Sequence, residues 1–195
     1  NYLIEKEREI KNKIGRFSES ALASMDVDSE VKKLINNASL DLPKLKKEDT
    51  KSNITTEEMT GQQLPSGTRF VMGRVYEIDI ANYKVPFSGN KDFFKCHPSK
   101  NISLRPLGIE LQNDSIIIKL TNWLGGISGN DEAIERLKNE LISIIDNIET
   151  ILTQLQNDID EYIPILEKRI ESELTALIKK VNIKNESNDK LNPFG

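Results

Sequence analysis

Cys96 and His97, the only cysteine and the only histidine of the chain, are neighbours. They sit in the unusual stretch Lys84 to Lys100, KVPFSGNKDFFKCHPSK. A zinc site takes about four ligands, typically at paired spacings, and adjacent residues of an extended segment point to opposite faces. The pair is therefore suited neither to chelating one ion nor to joining a nucleophile to its base. Gly125, Gly126 and Gly129 are not followed by the Lys and Ser/Thr of a phosphate-cradling loop. Asp158 and Asp160, like Asp146 and Glu149, fall in a strongly helical stretch where acids usually form a solvated face. No acid on an expected strand is followed by Glu-x-Lys, the arrangement a metal-dependent nuclease would use. The sequence predicts no catalytic residue, no metal ligand and no cofactor.

The composition agrees with a framework of helices more than with one large core. Of 195 residues 37% are hydrophobic, 6% are aromatic, 30% are charged, and the net charge is -4. That allows one or two small domains built on aliphatic seams. An acidic balance does not indicate a nucleic-acid platform, which needs clustered Lys and Arg. Lys44, Lys46, Lys47, Lys168, Arg169, Lys179 and Lys180 keep local phosphate contacts open. A single cysteine excludes an internal disulfide. No apolar run approaches the roughly 20 residues of a membrane span, and no signal peptide is visible, so a cytoplasmic protein without a membrane partner is expected. The chain begins at Asn1 and ends in a polar stretch, and it reads as a piece of a longer protein.

The elements that must position any site fall into five regions. Residues 1–43 read as N-terminal helices. Leu3, Ile10, Ile14, Phe17 and Ala21 share one face of a helix from Leu3 to Ser24. A second, short helix is capped by Asp28 or Ser29 and turns Val31, Leu34 and Ile35 inward. Residues 44–61 have almost no apolar content and read as a linker or long loop. Residues 62–129 read as a small antiparallel β-domain. In it Tyr76, Ile78 and Ile80 alternate against Glu77 and Asp79, and a hairpin turns at Gln112-Asn113-Asp114. Asn130 or Asp131 then caps a helical arm over 130–183, and 184–195 is a polar tail or linker. The fold class expected is α+β: a small antiparallel sheet with a long, kinked, coiled-coil-like arm.

The arm carries the clearest periodicity in the chain. Ile134, Leu141, Ile148 and Leu155 are seven residues apart, and Leu137, Ile144 and Ile151 interleave with them, the pattern of a coiled-coil seam. After Leu155 the phase slips by four, and Ile148, Ile159, Ile170 and Val181 continue at intervals of eleven. Pro164 removes one backbone bond and predicts a kink near Asp160 to Pro164. A lone helix with one apolar face is unstable in water. The first helix covers about two heptads of this seam, so a second copy is expected to cover the rest, with cover of part of it by the β-domain as the competing intramolecular explanation. The seam from Ile134 to Ile159 is thus the expected homo-oligomer interface.

The stretch around Cys96 reads as a β-corner. Pro86 ends a strand, Gly89 permits the turn, and Phe87, Phe93 and Phe94 pack the sheet against helices before the Pro98-Ser99 step. This stretch, followed by LRP and the hairpin GIELQNDSIIIKL, resembles the N-terminal region of a group of uncharacterised bacterial proteins. These carry a C-terminal restriction-endonuclease-like nuclease domain. The likeness extends loosely to MDVDSEVKKLI and to the long helical region. Cys96-His97 stands where that group has an aromatic and a basic residue. The resemblance implies a non-catalytic assembly or sensing module of a bacterial nuclease acting in antiviral defence, with a protein partner or trigger. A nucleic-acid-binding module of such a nuclease and a free-standing coiled-coil adaptor are the alternatives.

Overall fold

The computed structural model describes residues 2–65, 69, 71–99, 109–123 and 125–191. The chain is an α+β protein and divides into two compact units. Unit 1 takes Asn1–Asp41, Cys96–Ser99 and Gln154–Gly195, and unit 2 takes Leu42–Lys95 and Lys100–Thr153.

Unit 1 begins with α1 (Tyr2–Ile14), α2 (Glu19–Ala23) and α3 (Val27–Asn36). The single helix expected from Leu3 to Ser24 is divided in two. The Gly15 N–H still bonds the Lys11 carbonyl, but Arg16 and Phe17 bond only three residues back. Ser18 then starts a new helix, its Oγ accepting from the Ala21 N–H at 3.2 Å. An N-cap serine satisfies one of the free donors of the next first turn, which is why the break falls there. The apolar face survives the break, since Ile10, Ile14 and Leu22 are all buried. The cap of α3 is Asp26, without a side-chain cap bond, rather than Asp28 or Ser29. Val31 and Leu34 are buried and Ile35 is half-buried.

Unit 2 holds an antiparallel sheet of β1 (Lys44–Leu45), β2 (Lys51–Thr60), β3 (Val75–Ser88), β4 (Ile109–Leu111) and β5 (Ser115–Thr121). Its order is β1-β3-β5-β4, with β2 also paired to β3. Residues 44–61 are therefore two strands and 3-10 turns rather than a linker. β2 is exposed along almost its whole length. A strand with both faces in water carries no alternating apolar signature, and its β-branched residues are only Ile54, Thr55, Thr56 and Thr60. What holds β2 is its ladder to β3, ten opposed pairs from Lys51↔Lys84 to Thr60↔Val75. The hairpin β4–β5 closes at the expected residues, the Gln112 N–H reaching the Ser115 carbonyl at 2.9 Å. Pairing of Ala81 with Leu120, Tyr83 with Ile118 and Val85 with Ile116 places one row of side chains on a common face. Ala81, Val85, Ile116, Ile118 and Leu120 of that row are all buried.

The last element, α4 (Asp131–Leu191), contributes to both units. Asn130 caps it as expected, its Oδ1 accepting from the Ala133 N–H at 3.0 Å. Assigned as one helix through Pro164, α4 continues to Leu191, so the tail expected at 184–195 is helical that far. Pro164 faces solvent, where the Asp160 carbonyl that loses its intrahelical donor can be hydrated.

The seam residues are covered within one chain. Leu137, Ile148, Leu155 and Ile159 are buried, whereas Ile134, Leu141, Ile144 and Ile151 are half-buried. Ala133, Ile145 and Leu152 complete the buried face. A heptad row drifts by about 20° per repeat around a straight helix, so its members leave the centre of the face and their neighbours enter it. The eleven-residue row stays central: Ile148, Ile159 and Ile170 are each 2% exposed and Val181 is 7% exposed. Within unit 1, Leu166, Ile170, Leu174 and Val181 form one core with Ile10, Ile14, Leu22, Val31, Leu34 and Ala38. The bare stripe from which a homo-oligomer was expected is thus absent among the described residues of α4.

Candidate interaction surface

The residues with the most chemical potential are not brought together. Cys96 is half-buried and His97 exposed, and Ser99, two residues on, is held by α4. The Ser99 N–H and Oγ donate to the two carboxylate oxygens of Asp158 at 2.7 and 2.5 Å. Asp160 accepts from Gln156 at 2.8 Å, and Glu149 pairs with Lys47 at 2.8 Å. These carboxylates position segments of the chain. Among the described residues no group of three or more His, Cys, Asp or Glu side chains is arranged to hold a metal ion. No helix among them is long and apolar enough to cross a membrane.

The β-corner is only partly the one expected. β3 does not end at Pro86 but runs on to Ser88. Proline fits there because Pro86 opposes Ser115, the first residue of β5, at the end of that ladder. The Pro86 carbonyl still accepts from the Lys46 N–H at 2.8 Å. Phe87 is buried and meets Phe94 edge-on, with centroids 4.9 Å apart. Phe93 and Phe94 lie in a 3-10 turn, Lys91–Lys95, rather than before a short strand, and Phe93 is buried. Gly89 has φ +95°. Pro98 belongs to unit 1, apart from the rest of the set.

A buried ion cluster that sequence reasoning did not find lies in unit 1. Glu7, 8% exposed, accepts from the Tyr162 hydroxyl and from Arg169 at 2.8 Å, and it pairs with Lys11 at 2.9 Å. The Tyr162 hydroxyl, then Lys11 and Arg169, hold its carboxyl down at about 2 against a usual 4.5. Burial and the same Glu7 contact push the Tyr162 phenol up to about 12. Only the recurrence of Glu7 beside Ile10 and Ile14 on one helix face could have pointed to it, and a lone Glu there reads as solvated. A carboxylate whose pKa falls on folding stabilises above its unfolded pKa, and that stability is lost as pH falls through the folded value. Glu7 should therefore contribute fully at neutral pH and progressively less from about pH 5 down to 2. Glu7→Gln should lower neutral stability by on the order of 1–3 kcal/mol, moderated because Lys11 and Arg169 are half in water. It should also flatten the acid limb of stability against pH, measured by urea unfolding across that range.

In unit 2 Asp79 fastens the loop that leads into α4. Its carboxylate accepts from the Ile127 N–H at 2.8 Å and from the Thr56 hydroxyl at 2.9 Å. The Ile127 backbone bond, then Thr56, holds its carboxyl below the usual range. Asn122, 1% exposed, donates to the Gly125 and Gly126 carbonyls and accepts from Arg136. These groups secure the end of β5 and the start of α4.

The feature that remains unaccounted for by packing is the β2–β3 ribbon. β5 pairs with β3 only from Ile80 onward, so Thr56–Thr60 and Val75–Asp79 form a ladder with no third strand among the described residues. Thr56–Asp79 and Asn82–Thr55 side-chain bonds brace it. Toward its end Val71 is 62%, Met72 90% and Val75 52% exposed. The Val71 N–H donates to the Tyr76 hydroxyl at 2.7 Å, and Arg74 lies over the Tyr76 ring at 5.3 Å. The outer edge of β2 has no partner strand among the described residues. Unpaired N–H and C=O groups along a strand edge are a template for another chain.

No protein-family profile, no curated protein and no solved structure matches this chain. What the geometry defines is an α+β chain in which Glu7, Asp79, Asp158 and Glu149 are engaged in structural bonds and the outer edge of β2 is unpaired among the described residues.

Proposed function

We propose that the chain is a non-catalytic assembly and sensing module whose contact element is the β2–β3 ribbon. The observation that carries this reading is β2 itself: ten residues exposed along nearly their whole length, held among the described residues by a ladder on one side only. The carboxylates of Glu7, Asp79, Asp158 and Glu149 support it, since each is committed to holding one segment against another. The resemblance to the N-terminal region of bacterial nucleases suggests the setting: a cytoplasmic module that positions or restrains a nuclease domain in antiviral defence and answers to a protein partner or trigger. No catalytic step and no cofactor is assigned to these residues. Amide hydrogen exchange along β2 tests the reading, because a contact strand must be uncovered in the dilute chain and become covered on assembly.

A further inference from the structure

The outer edge of β2, unpaired among the described residues, carries information about what can pair with it. Natural edge strands are usually short, or are blunted by charged side chains, by proline or by a bulge. β2 has no proline, and its register with β3 is continuous over all ten residues. Its charges are separated along the strand, with Lys51 at the start and Glu57 and Glu58 near the end. Antiparallel pairing with an identical strand brings opposite charges together, whereas parallel in-register pairing opposes like charges.

Symmetry narrows the register further. A twofold axis makes every pair of opposed residues recur with the roles exchanged. Opposed pairs in an antiparallel ladder alternate between hydrogen-bonded and non-hydrogen-bonded, so two adjacent pairs cannot be equivalent. The axis must therefore pass through a residue that faces itself. Centred on Ile54, the ladder sets Lys51 opposite Glu57, Ser52 opposite Thr56 and Asn53 opposite Thr55, each twice. Centred on Thr55, it sets Lys51 opposite Met59 and Glu57 opposite Asn53, with no ion pair. A match of Lys51 to Glu58 would put the axis between two residues, which the alternation forbids. The Ile54-centred register also explains an exposed side chain. Ile54 is 44% exposed beside its buried partner Ala81, and a second Ile54 would cover it.

We propose that the outer edge of β2 pairs with β2 of a second copy of this chain, antiparallel, on a twofold axis through Ile54. This deepens the reading of the chain as an assembly module and rests on it. The contact runs from Lys51 to Glu57 on each copy, small beside the roughly 1,600 Å² of a standard complex, so the dimer is reversible and concentration-dependent. Sedimentation equilibrium on the whole chain tests it. Lys51→Glu and Glu57→Lys should each weaken the dimer by at least about tenfold, because each replaces two attractive cross-strand pairs with two repulsive ones. An equal mixture of the two variants should regain wild-type association, since each hybrid dimer restores both attractions. That recovery also shows that the variants are folded. A wild-type chain that stays monomeric throughout overturns the proposal, as does a dimer indifferent to both reversals. A β2 edge that exchanges freely in a strict monomer would overturn only this pairing, whereas an edge protected in the dilute monomer would overturn the contact reading itself.

Discussion

Leu174→Asp should detach the N-terminal helices from α4 and unfold unit 1. Leu174 is 0% exposed and lies in one core with Ile10, Ile14, Leu22, Leu166 and Ile170. Truncating such a leucine to alanine costs about 2–5 kcal/mol through lost burial and the cavity left behind. An unpaired carboxylate at the same place, within a cluster of hydrophobic side chains, costs more because of the loss of water. Small domains have only about 5–15 kcal/mol in total, so the aspartate variant should lose cooperative melting by circular dichroism at ordinary temperatures. Ile183→Asp, on the same helix at a 53% exposed position, should stay within about 0.5 kcal/mol of the parent. Equal effects of the two substitutions would contradict the assignment of that core.

Gly89→Ala should strongly destabilise unit 2. Gly89 has φ +95°, where side chains are rarely accommodated. An added Cβ would lie 2.4 Å from the Leu42 carbonyl oxygen and 2.9 Å from its carbon. Both are backbone atoms, so relief requires moving the segment that leads into β1. The cost should reach about 3 kcal/mol or more, combining strain with lost packing. Gly129→Ala supplies the comparison, since its φ is +74° but nothing lies within 4 Å of the new carbon. It should cost only about 1–2 kcal/mol of backbone strain. Trp123, the only tryptophan and a member of unit 2, reports both unfolding transitions by fluorescence in urea.

The parts of the fold that were legible in the sequence are those whose side chains meet an apolar surface. The helix after Asn130, the β4–β5 hairpin and the inward residues of α3 all follow from periodicity and turn residues. The break at Ser18 and the strand at 51–60 were not legible, for different reasons. Gly15 and Ser18 interrupt a face that stays apolar across the break, so periodicity alone reads through them. β2 is held by backbone bonds to β3, which leave no trace in side-chain pattern when both faces are wet. The seam was found, and of the two covers open to it, a second copy or the chain's own β-domain, the sequence favoured the second copy, whereas its residues are buried or half-buried within the single chain. Hydrophobic spacing says that a stripe must be buried and does not say whether a distant part of the same chain will bury it. The eleven-residue row Ile148, Ile159, Ile170 and Val181 was the better guide, because its period lies closer to that of a straight helix than a heptad does. The candidate contact surface was invisible for the same reason as β2 itself.

Amide hydrogen exchange along β2, followed as protein concentration is raised, tests the central claim most directly. A strand paired on one side alternates N–H groups toward its neighbour and toward solvent. In the dilute chain the outward amides of Lys51–Thr60 should exchange at nearly unprotected rates, while those of β5, which is paired on both sides by β3 and β4, exchange slowly. As concentration rises, protection should appear first on the outward amides between Lys51 and Glu57, with no change in the core of unit 1. Uniform protection of β2 in the dilute chain, matching that of β5, would mean that its edge is already covered within one molecule and would contradict the account.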